Sequence, residues 1–578
     1  MTVADSTSLA STRPARSPAG HPLIGGPLGG GAPERRAAIG ERVETLLTVL
    51  GASLPRPAPN DDRGRPADDY TLAGLGEKLD AVVARLSVGP PEESWLALAV
   101  ISGRLPTVAP VQRLHRASRL GDGLRSLSTE VKALWVRDRL DLSVWPEVEV
   151  VSDVVVVDLH HTASNVVATG IQRVAREAGR RWDRDHDIIA IGWTPTFGAL
   201  RRLSVEERQV ALEGLPYADS PGEPSGPRSG RAPGECDADD QPEIPVATLV
   251  PWRCTHLVAE LPAEIDRGER YRAFVEFSRC RTGLVGHDCV PITASETTSL
   301  DMAFGFTSYL AAAAAVDRVA ATSASSAAEY EGWREMLSGS GRAGPEIRRI
   351  GLAVEAEPSD PDSLDAARGL LSVGSLPIVL SVGSHEPRKN HEALLHAAEL
   401  AWREGVEFTL TFVGGNSWSS GRFYRRVGEL QEEGRALQVI QGLSDHLLWA
   451  AYRVAHCTVF PSLHEGFGLP VAESLACGTP VITASYGTMA ELCTHGGALL
   501  IDPRDDHDMK RALVRMITEP GLRSRLAAEA AATPVRTWDD YAVDTWSFLV
   551  EEPLQPRSLH SAPPDAADYD PRWPGGTR

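Results

Sequence analysis

Residues 461–474 read PSLHEGFGLPVAES, a stretch that predicts the end of a strand, a glycine turn and the start of a helix. Gly466 and Gly468 let the backbone of the turn pass close to a ligand, and Pro470 suits the first turn of a helix. The amide groups at such a helix start point outward, together with the positive end of the helix dipole. The stretch is therefore a predicted binding site for a diphosphate.

A plain strand-to-helix turn would explain part of the same stretch. In that interpretation the glycines supply unusual torsion angles, Pro470 starts the helix, Glu473 in its first turn complements the dipole, and Gly478 ends it. It gives no reason for Glu465 and Phe467 on the turn itself. These two residues favour the ligand-binding interpretation.

A second candidate phosphate site lies in residues 383–391, which read GSHEPRKNH. Pro387 stiffens this loop and presents Arg388 and Lys389 just before a helix that Asn390 is expected to cap. Two cations at the end of a strand can neutralise a phosphate, although a solvated charged loop has the same composition. Lysines are rare in this chain, and an ammonium group binds phosphate as a point charge, so Lys389 favours the phosphate interpretation. The 58 basic residues include four lysines, Lys78, Lys132, Lys389 and Lys510.

A third candidate is the sequence Gly-His-Asp at residues 286–288, which follows an apolar run at 282–285 and is predicted to end a strand of another sheet. His287 there could contact a sugar hydroxyl or take part in proton movement. It could also be a buried histidine that a neighbouring group satisfies. The residues alone leave both interpretations open.

Alternating strands and helices surround these motifs. Strands are predicted at residues 378–383, 408–413, 437–440, 457–460, 480–484 and 498–501, with helices such as 390–402, 445–454 and 508–517 between them. A similar unit begins near residue 151, where 154–159 and 188–191 are typical of buried strands and a glycine turn leads into a helix. Such alternation requires parallel, doubly wound sheets. The predicted fold is α/β, with two Rossmann-like domains facing one another across a ligand-binding cleft.

The regions outside the two sheets differ from them in composition. Residues 1–35 and 553–578 are rich in Pro, Gly, Ser and Ala and are predicted to be disordered, and a mobile insertion is predicted at 214–245. Apolar residues at helical spacing predict a helical extension over 36–145, which either docks a partner or packs as a lid on the rest of the chain. The other predicted units are sheet domains over 150–365 and 366–535 and a final crossover helix over 536–552.

Composition and charge narrow the function. The 578 residues carry a formal net charge of −20, which disfavours a general nucleic-acid or membrane-surface binder. The seven cysteines lie far apart without a Cys-x-x-Cys pair, so neither a disulfide framework nor a zinc site is predicted. A secretory leader and a run of about 18 apolar residues are both missing, so the expected location is cytoplasmic. No Asp-x-Asp pair stands where a divalent cation would bridge a diphosphate, so no metal is expected.

Together these motifs strongly resemble glycosyltransferase family 4, the retaining nucleotide-sugar transferases of the GT-B fold. That family has two glutamates separated by seven residues, matched by Glu465 and Glu473, within a Pro-Ser-x-x-Glu-Gly-Phe-Gly-Leu-Pro stretch that residues 461–470 reproduce. The Glu-Pro-Arg-Lys-Asn loop at 386–390 and Glu491 are also similar to the family. The resemblance covers residues 151–548 and implies that the first sheet domain binds the acceptor and the second binds the donor.

The resemblance also implies a role for each candidate residue. Glu465 would hold hydroxyls of the donor sugar and Glu473 the ribose, while Arg388 and Lys389 would bind the diphosphate. Glu465, His287 and Lys389 are the residues expected to take part in catalysis. The other donor-binding residues implied by the resemblance are Gly170, Leu443, Gly466, Phe467, Gly468 and Leu469. Many family members place an arginine near 383–384, so here part of the phosphate binding falls to Arg388 or to backbone amides.

The implied reaction is the transfer of a hexose from a nucleotide-diphosphate sugar to a glycan or lipid-linked acceptor, with retention and without a metal or other cofactor. The stretch TGIQRV at 169–174 resembles a subgroup rich in mannosyltransferases of surface polysaccharides, which favours mannose. Peripheral membrane association and a protein partner bound through the helical extension are further expectations, and no nucleic-acid partner is expected. Two alternatives remain, a catalytically idle GT-B scaffold and a nucleotide-sugar epimerase.

Overall fold

A computed structural model describes residues 33–52, 72–140, 145–164, 170–214, 247–415, 417 and 419–555. Its strands are β1 Val148–Val151, β2 Val155–Asp158, β3 Ile188–Trp193, β4 Leu200–Arg202, β5 Thr248–Pro251, β6 Thr255–Val258, β7 Arg281–Gly286, β8 Arg318–Ala321, β9 Glu346–Arg349, β10 Ile378–Val382, β11 Thr409–Val413, β12 Leu437–Ile440, β13 Cys457–Phe460, β14 Val481–Ala484 and β15 Ala498–Ile501.

The helices of the described residues are α1 Pro33–Val49, α2 Leu72–Val88, α3 Pro91–Ser102, α4 Val108–Arg119, α5 Gly123–Arg137, α6 His160–Ser164, α7 Gly170–Asp185, α8 Val205–Glu213, α9 Ile265–Phe277, α10 Val290–Thr293, α11 Leu300–Ala313, α12 Ala324–Gly339, α13 Pro361–Leu371, α14 His391–Arg403, α15 Gly421–Glu432, α16 Asp445–Val454, α17 Leu469–Ala476, α18 Gly487–Leu492, α19 Asp506–Thr518, α20 Leu522–Ala531 and α21 Trp538–Trp546. A π-helical segment, Ser547–Glu551, continues α21.

The second sheet contains six parallel strands in the order β12-β11-β10-β13-β14-β15. Apolar side chains from α14, α15 and α19 pack on one face, and those of α13 and α16 pack on the other. The strand order reverses between β10 and β13, which opens a crevice at the carboxyl ends of these two strands. The predicted doubly wound sheet is confirmed, and both phosphate-type motifs follow the two strands at this crevice.

The first sheet contains nine strands in the order β1-β5-β4-β3-β2-β6-β7-β8-β9. The short strand β4 runs antiparallel to β3 and β5, and the remaining pairs are parallel. The predicted strands at 154–159 and 188–191 correspond to β2 and β3. The strands β1 and β4 were not predicted from the sequence, and neither were β6, β8 and β9.

The helical extension packs on the first sheet domain through an apolar core that the two share. Helix α3 lies at its centre, since every side chain from Trp95 to Ile101 is buried. The Trp95 ring stacks on Trp252, with 6.4 Å between the centroids, and makes an edge contact with Phe274. Arg270 NH1 donates to the carbonyl oxygen of Leu105 at 2.5 Å. The buried faces of the extension agree with the interpretation in which it packs on the rest of the chain.

The last described helix returns to the first domain, as expected for a crossover helix. Trp182 Nε1 of α7 donates to the Ala542 carbonyl oxygen at 3.1 Å, and Arg318 NH2 donates to the Pro553 carbonyl oxygen at 2.7 Å. The segments predicted to be disordered or mobile, 1–35, 214–245 and 553–578, fall almost entirely outside the described residues. Among the helices described here, none combines the length and the apolarity needed to span a membrane.

Candidate functional site

Glu465 lies on the turn after β13, buried among three donors. Lys389 Nζ lies 2.6 Å from Glu465 Oε1, and Arg388 NH1 lies 2.6 Å from Oε2. Ser462 Oγ donates to Oε1 at 2.5 Å. The two candidate phosphate motifs thus meet at this carboxylate, as the switch point of the sheet requires.

Opposite charges are paired around Glu465 in this part of the crevice. Burial opposes ionisation of Glu465, but Arg388 and Lys389 outweigh it and lower the pKa of the carboxyl to about 2. Burial likewise opposes the charge of Arg388, but the Glu465 carboxylate outweighs it and raises the pKa of the guanidinium. Glu386 Oε1 also lies 2.8 Å from Arg388 NH2 and 4.0 Å from Lys389 Nζ, so the two cations are already paired with two carboxylates, and an anionic ligand would share them.

The loop that carries the two cations is tied directly to the turn. Arg388 NH1 donates to the His464 carbonyl oxygen at 2.8 Å, and the Leu463 amide donates to the Arg388 carbonyl oxygen at 2.9 Å. The expectation that the Asn390 side chain caps α14 is wrong. Asn390 has a φ of 58° and its side-chain amide donates instead to the Pro503 carbonyl oxygen at 2.7 Å. This left-handed residue turns the chain sharply from the cation loop into the helix.

The sequence predicts Glu473 in the first turn of its helix. In the structure it is the fifth residue of α17 and therefore lies in the second turn. The helix starts at Leu469, directly after Gly468, whose φ of +86° favours glycine. Tyr452 of α16 donates to Glu473 Oε2 at 2.7 Å. Arg173 of the first domain forms an ion pair with Oε1. The carboxylate is therefore held from both sides of the cleft.

The glycine turn touches the first domain at Gly466. Its carbonyl oxygen accepts hydrogen bonds from Ser323 Oγ at 2.6 Å and Ser326 Oγ at 3.0 Å. A Cβ atom at Gly466 would lie 2.4 Å from the His287 carbonyl oxygen, so a larger residue would separate the two domains here. The close approach brings His287 next to the turn that carries Glu465.

His287 directly follows β7, as the sequence predicts. Its Nε2 lies 2.9 Å from the Ala259 carbonyl oxygen, and because a carbonyl only accepts, this nitrogen carries the hydrogen. Burial lowers the pKa of His287 to about 4, so the ring is neutral and Nδ1 is its acceptor. Nε2 thus holds the ring in place through its hydrogen bond to Ala259, and Nδ1 retains a lone pair for a ligand or a proton.

The remaining predicted donor-binding residues lie on both sides of the cleft. A Cβ atom at Gly170 would lie 3.3 Å from Leu469 Cδ1, so α7 and α17 start beside one another. Phe467 is half-buried against the apolar core of the first domain. Leu443 is half-buried against the cluster beneath α16. The structure therefore brings Gly170 and Leu469 together and packs Phe467 on the first domain, and it places Leu443 just before α16 on the second domain.

Several residues at the cleft were not predicted from the sequence. Asp288 is half-buried, and removal from water raises the pKa of its carboxyl. His464 pairs with Glu329 of α12, and although burial opposes protonation, this hydrogen bond raises the pKa of the imidazole. Arg173 and Asp288 were within quoted motifs and were passed over. Glu329 and Tyr452 had no sequence signal, because each sits inside an ordinary helical pattern.

Comparison with known proteins identifies the architecture. Sucrose-phosphate synthase from Thermosynechococcus elongatus matches the chain with a TM-score of 0.50 and 18% sequence identity, covering 69% of this chain and 98% of that one. That likeness shows the fold. A family model described as glycosyl transferases group 1 matches residues 366–533. The chain thus has the GT-B fold, and residues 366–533 are similar to that glycosyltransferase family.

Two curated bacterial proteins are similar to parts of this chain. The serotype-specific mannosyltransferase WbdA of Escherichia coli is 27% identical over 351 residues, 58% of this chain and 38% of that protein. A D-inositol 3-phosphate glycosyltransferase of Thermomonospora curvata is 37% identical over 182 residues, 28% of this chain and 40% of that protein. The chain thus spans about two fifths of the length of these relatives. The expected GT-B fold and the resemblance to a glycosyltransferase family are confirmed, and the residue roles stay predictions.

Proposed function

We propose that this protein is a retaining glycosyltransferase that moves a hexose from a nucleotide-diphosphate sugar to a glycan or lipid-linked acceptor. The observation that carries the proposal is the buried Glu465 carboxylate, held between Arg388 and Lys389 at the switch point of the second sheet. A diphosphate arriving there would meet two cations and the start of α17. The same charges would stabilise the nucleoside diphosphate as it leaves.

The proposed reaction breaks the bond between C1 of the donor sugar and the phosphate oxygen and forms a bond from C1 to the acceptor oxygen on the same face. The acceptor proton passes to the leaving phosphate, so no protein nucleophile is needed. Glu465 orients the sugar ring and stabilises the positive charge that grows at C1. The neutral His287, on the opposite side of the glycine turn, offers Nδ1 to a sugar hydroxyl.

Mannose is the proposed sugar, and surface polysaccharide synthesis the proposed process. Support comes from the names of relatives, WbdA and the O-antigen chain mannosyltransferase B of Escherichia coli, the latter 28% identical over 168 residues. The proposal includes a cytoplasmic location and a reaction without metal, because Arg388 and Lys389 already meet the diphosphate charge.

The test is a donor screen with GDP-mannose, UDP-glucose and ADP-glucose, each with a panel of glycan and lipid-linked acceptors. Wild-type protein is compared with Glu465→Gln and with the control Glu404→Gln, whose side chain is about half exposed and pairs with Lys510 on the surface. We expect transfer by the wild type and the control, with the anomeric configuration of the product retained in its NMR spectrum. An inverted product would overturn the retaining mechanism. Nucleotide binding without transfer would favour an idle scaffold, and conversion of the donor sugar into its epimer would favour an epimerase.

A further inference from the structure

Arg173 belongs to the first domain, but its guanidinium lies among residues of the second. It forms an ion pair with Glu473 through NH1, and its NH2 lies 3.6 Å from Asp445 Oδ1. The Arg173 side chain is 24% exposed and that of Glu473 is 4% exposed, so this pair is largely shielded from solvent. An ion pair this well shielded has a larger effect than an exposed one.

The position of Arg173 is set by where α7 starts. Gly170, the first residue of α7, lies against Leu469, the first residue of α17, and Arg173 follows one turn later on α7. Arg173 can therefore reach Glu473 only when the two domains approach as closely as they do here. Burial opposes its charge, but the Glu473 carboxylate outweighs it and raises the pKa of the guanidinium, so the residue stays a cation.

The hydrogen bonds of Glu473 leave room for a ligand. Tyr452 donates to Oε2 and Arg173 donates to Oε1, and each carboxylate oxygen accepts about two hydrogen bonds. Both oxygens therefore retain acceptor capacity while their direction is fixed. A pair of adjacent hydroxyls would complete this arrangement without displacing either donor.

We propose that Arg173 is a positioning residue for the donor, supplied by the first domain. It holds the Glu473 carboxylate in the orientation that accepts the hydroxyls of a nucleoside diphosphate, and so links donor binding to the approach of the two domains. This inference rests on the proposed function. A purely structural ion pair would instead alter the stability of the protein and leave its affinity for nucleotides unchanged.

The experiment measures the dissociation constants of GDP, UDP and ADP by calorimetry on the full chain. The proteins are wild type, Arg173→Ala, Arg173→Lys, Glu473→Gln and the double variant Arg173→Ala/Glu473→Gln. Arg180→Ala is the matched control, since Arg180 lies on the same helix, is about half exposed and pairs with Glu177 of that helix. Circular dichroism establishes that each variant is folded.

We expect Arg173→Ala to weaken binding of the preferred nucleotide about tenfold, the scale of one hydrogen bond to a charged group, and Arg180→Ala to leave it unchanged. Arg173→Lys should bind the nucleotide more tightly than Arg173→Ala but less tightly than the wild type. If the alanine variant does not fold, the affinity of the lysine variant tests the proposal. The double variant should bind no more weakly than Glu473→Gln, because Arg173 acts through that carboxylate. Unchanged affinity in the Arg173 variants, or losses that multiply in the double variant, would overturn the inference alone. Failure of the wild type to bind any of the three nucleotides would overturn the proposed function together with it.

Discussion

Glu465 and Glu473 are buried carboxylates of one strand–turn–helix unit, but the cations that pair with them come from different domains. Arg388 and Lys389, which pair with Glu465, belong to the same domain as that glutamate. Arg173, which pairs with Glu473, comes from the other domain. The ion pairs at the sugar end of the proposed donor site therefore form within one domain, whereas the ion pair at the nucleoside end forms only when the two domains meet.

Because of this difference, we expect substitutions of the two glutamates to have different effects on the kinetics. The charge at Glu465 faces the position where charge changes during the proposed reaction. The charge at Glu473 faces groups that hardly change. Substitution at the first should therefore affect the chemical step, and substitution at the second should affect binding.

The largest expected effect tests the sugar end. Glu465→Gln should lower kcat by about 10²–10³, the scale of a lost electrostatic stabiliser, because the variant cannot answer positive charge at C1. Steady-state kinetics with the true donor, on protein shown to be folded by circular dichroism, measures this effect. A change in KM alone at Glu465, with a collapse of kcat in Glu473→Gln, would reverse the two roles.

The second effect concerns stability in acid. The pKa of Glu465 is about 2 in the folded protein against an ordinary value of 4.5, so this carboxylate stabilises the fold fully above about pH 4.5. That stabilisation, about 3 kcal/mol from the size of the shift, should disappear as the pH falls from 4.5 to 2. Denaturant unfolding between these pH values should show a steeper loss for wild type than for Glu465→Gln. Parallel curves would mean that the ion pairs do not hold this carboxyl in its charged form.

The third effect separates the phosphate cation from other lysines. Lys389→Ala should weaken donor binding and turnover together, by about 10–100-fold in kcat/KM, because its charge acts on the bound diphosphate and on the leaving group. Lys510→Ala is the matched control, since Lys510 is the other lysine of this domain and pairs with Glu404. A near-wild-type rate for folded Lys389→Ala would favour the alternative interpretation, in which residues 383–391 form a solvated charged loop that does not bind phosphate.

A smaller effect is expected at the nucleoside end. Glu473→Gln should raise the KM of the donor about tenfold and change kcat little, because ribose hydroxyls keep their hydrogen bonds throughout the reaction. Initial rates over a range of donor concentrations give both constants. If kcat falls as far as in Glu465→Gln, the two ends of the site do not differ in the way proposed.

The smallest expected effect is that of a chelator. Activity should survive EDTA, because Arg388 and Lys389 supply the charge that a divalent cation would otherwise bring to the diphosphate. The measurement is the rate before and after chelation. Loss of activity that magnesium or manganese restores would contradict this expectation.

The second domain was the more predictable of the two from sequence. Its six strands were all predicted from largely apolar stretches, and helix α16 was predicted with its observed bounds, Asp445–Val454. Its site residues follow β10 and β13, where the turns carry glycine, proline and charge in recognisable order. The first domain was less predictable, because β4 follows β3 without a helix between them and pairs with it antiparallel, and because the helical extension shares the core of this domain. Asn390 was mispredicted for a related reason, since the Pro503 carbonyl that binds its side chain is 113 residues away.

The parallel sheet, the glycine turn and the pair of cations beside it could be predicted from the sequence. Each of these features depends on residues that lie close together in the chain. Gly468 and Pro470, for example, specify the start of α17 locally. Only the tertiary structure decided that Gly466 touches the first domain at His287, and that Glu473 pairs with an arginine 300 residues away. Those contacts depend on how two separately built sheets approach, and burial between them sets the charge state and partners of each side chain.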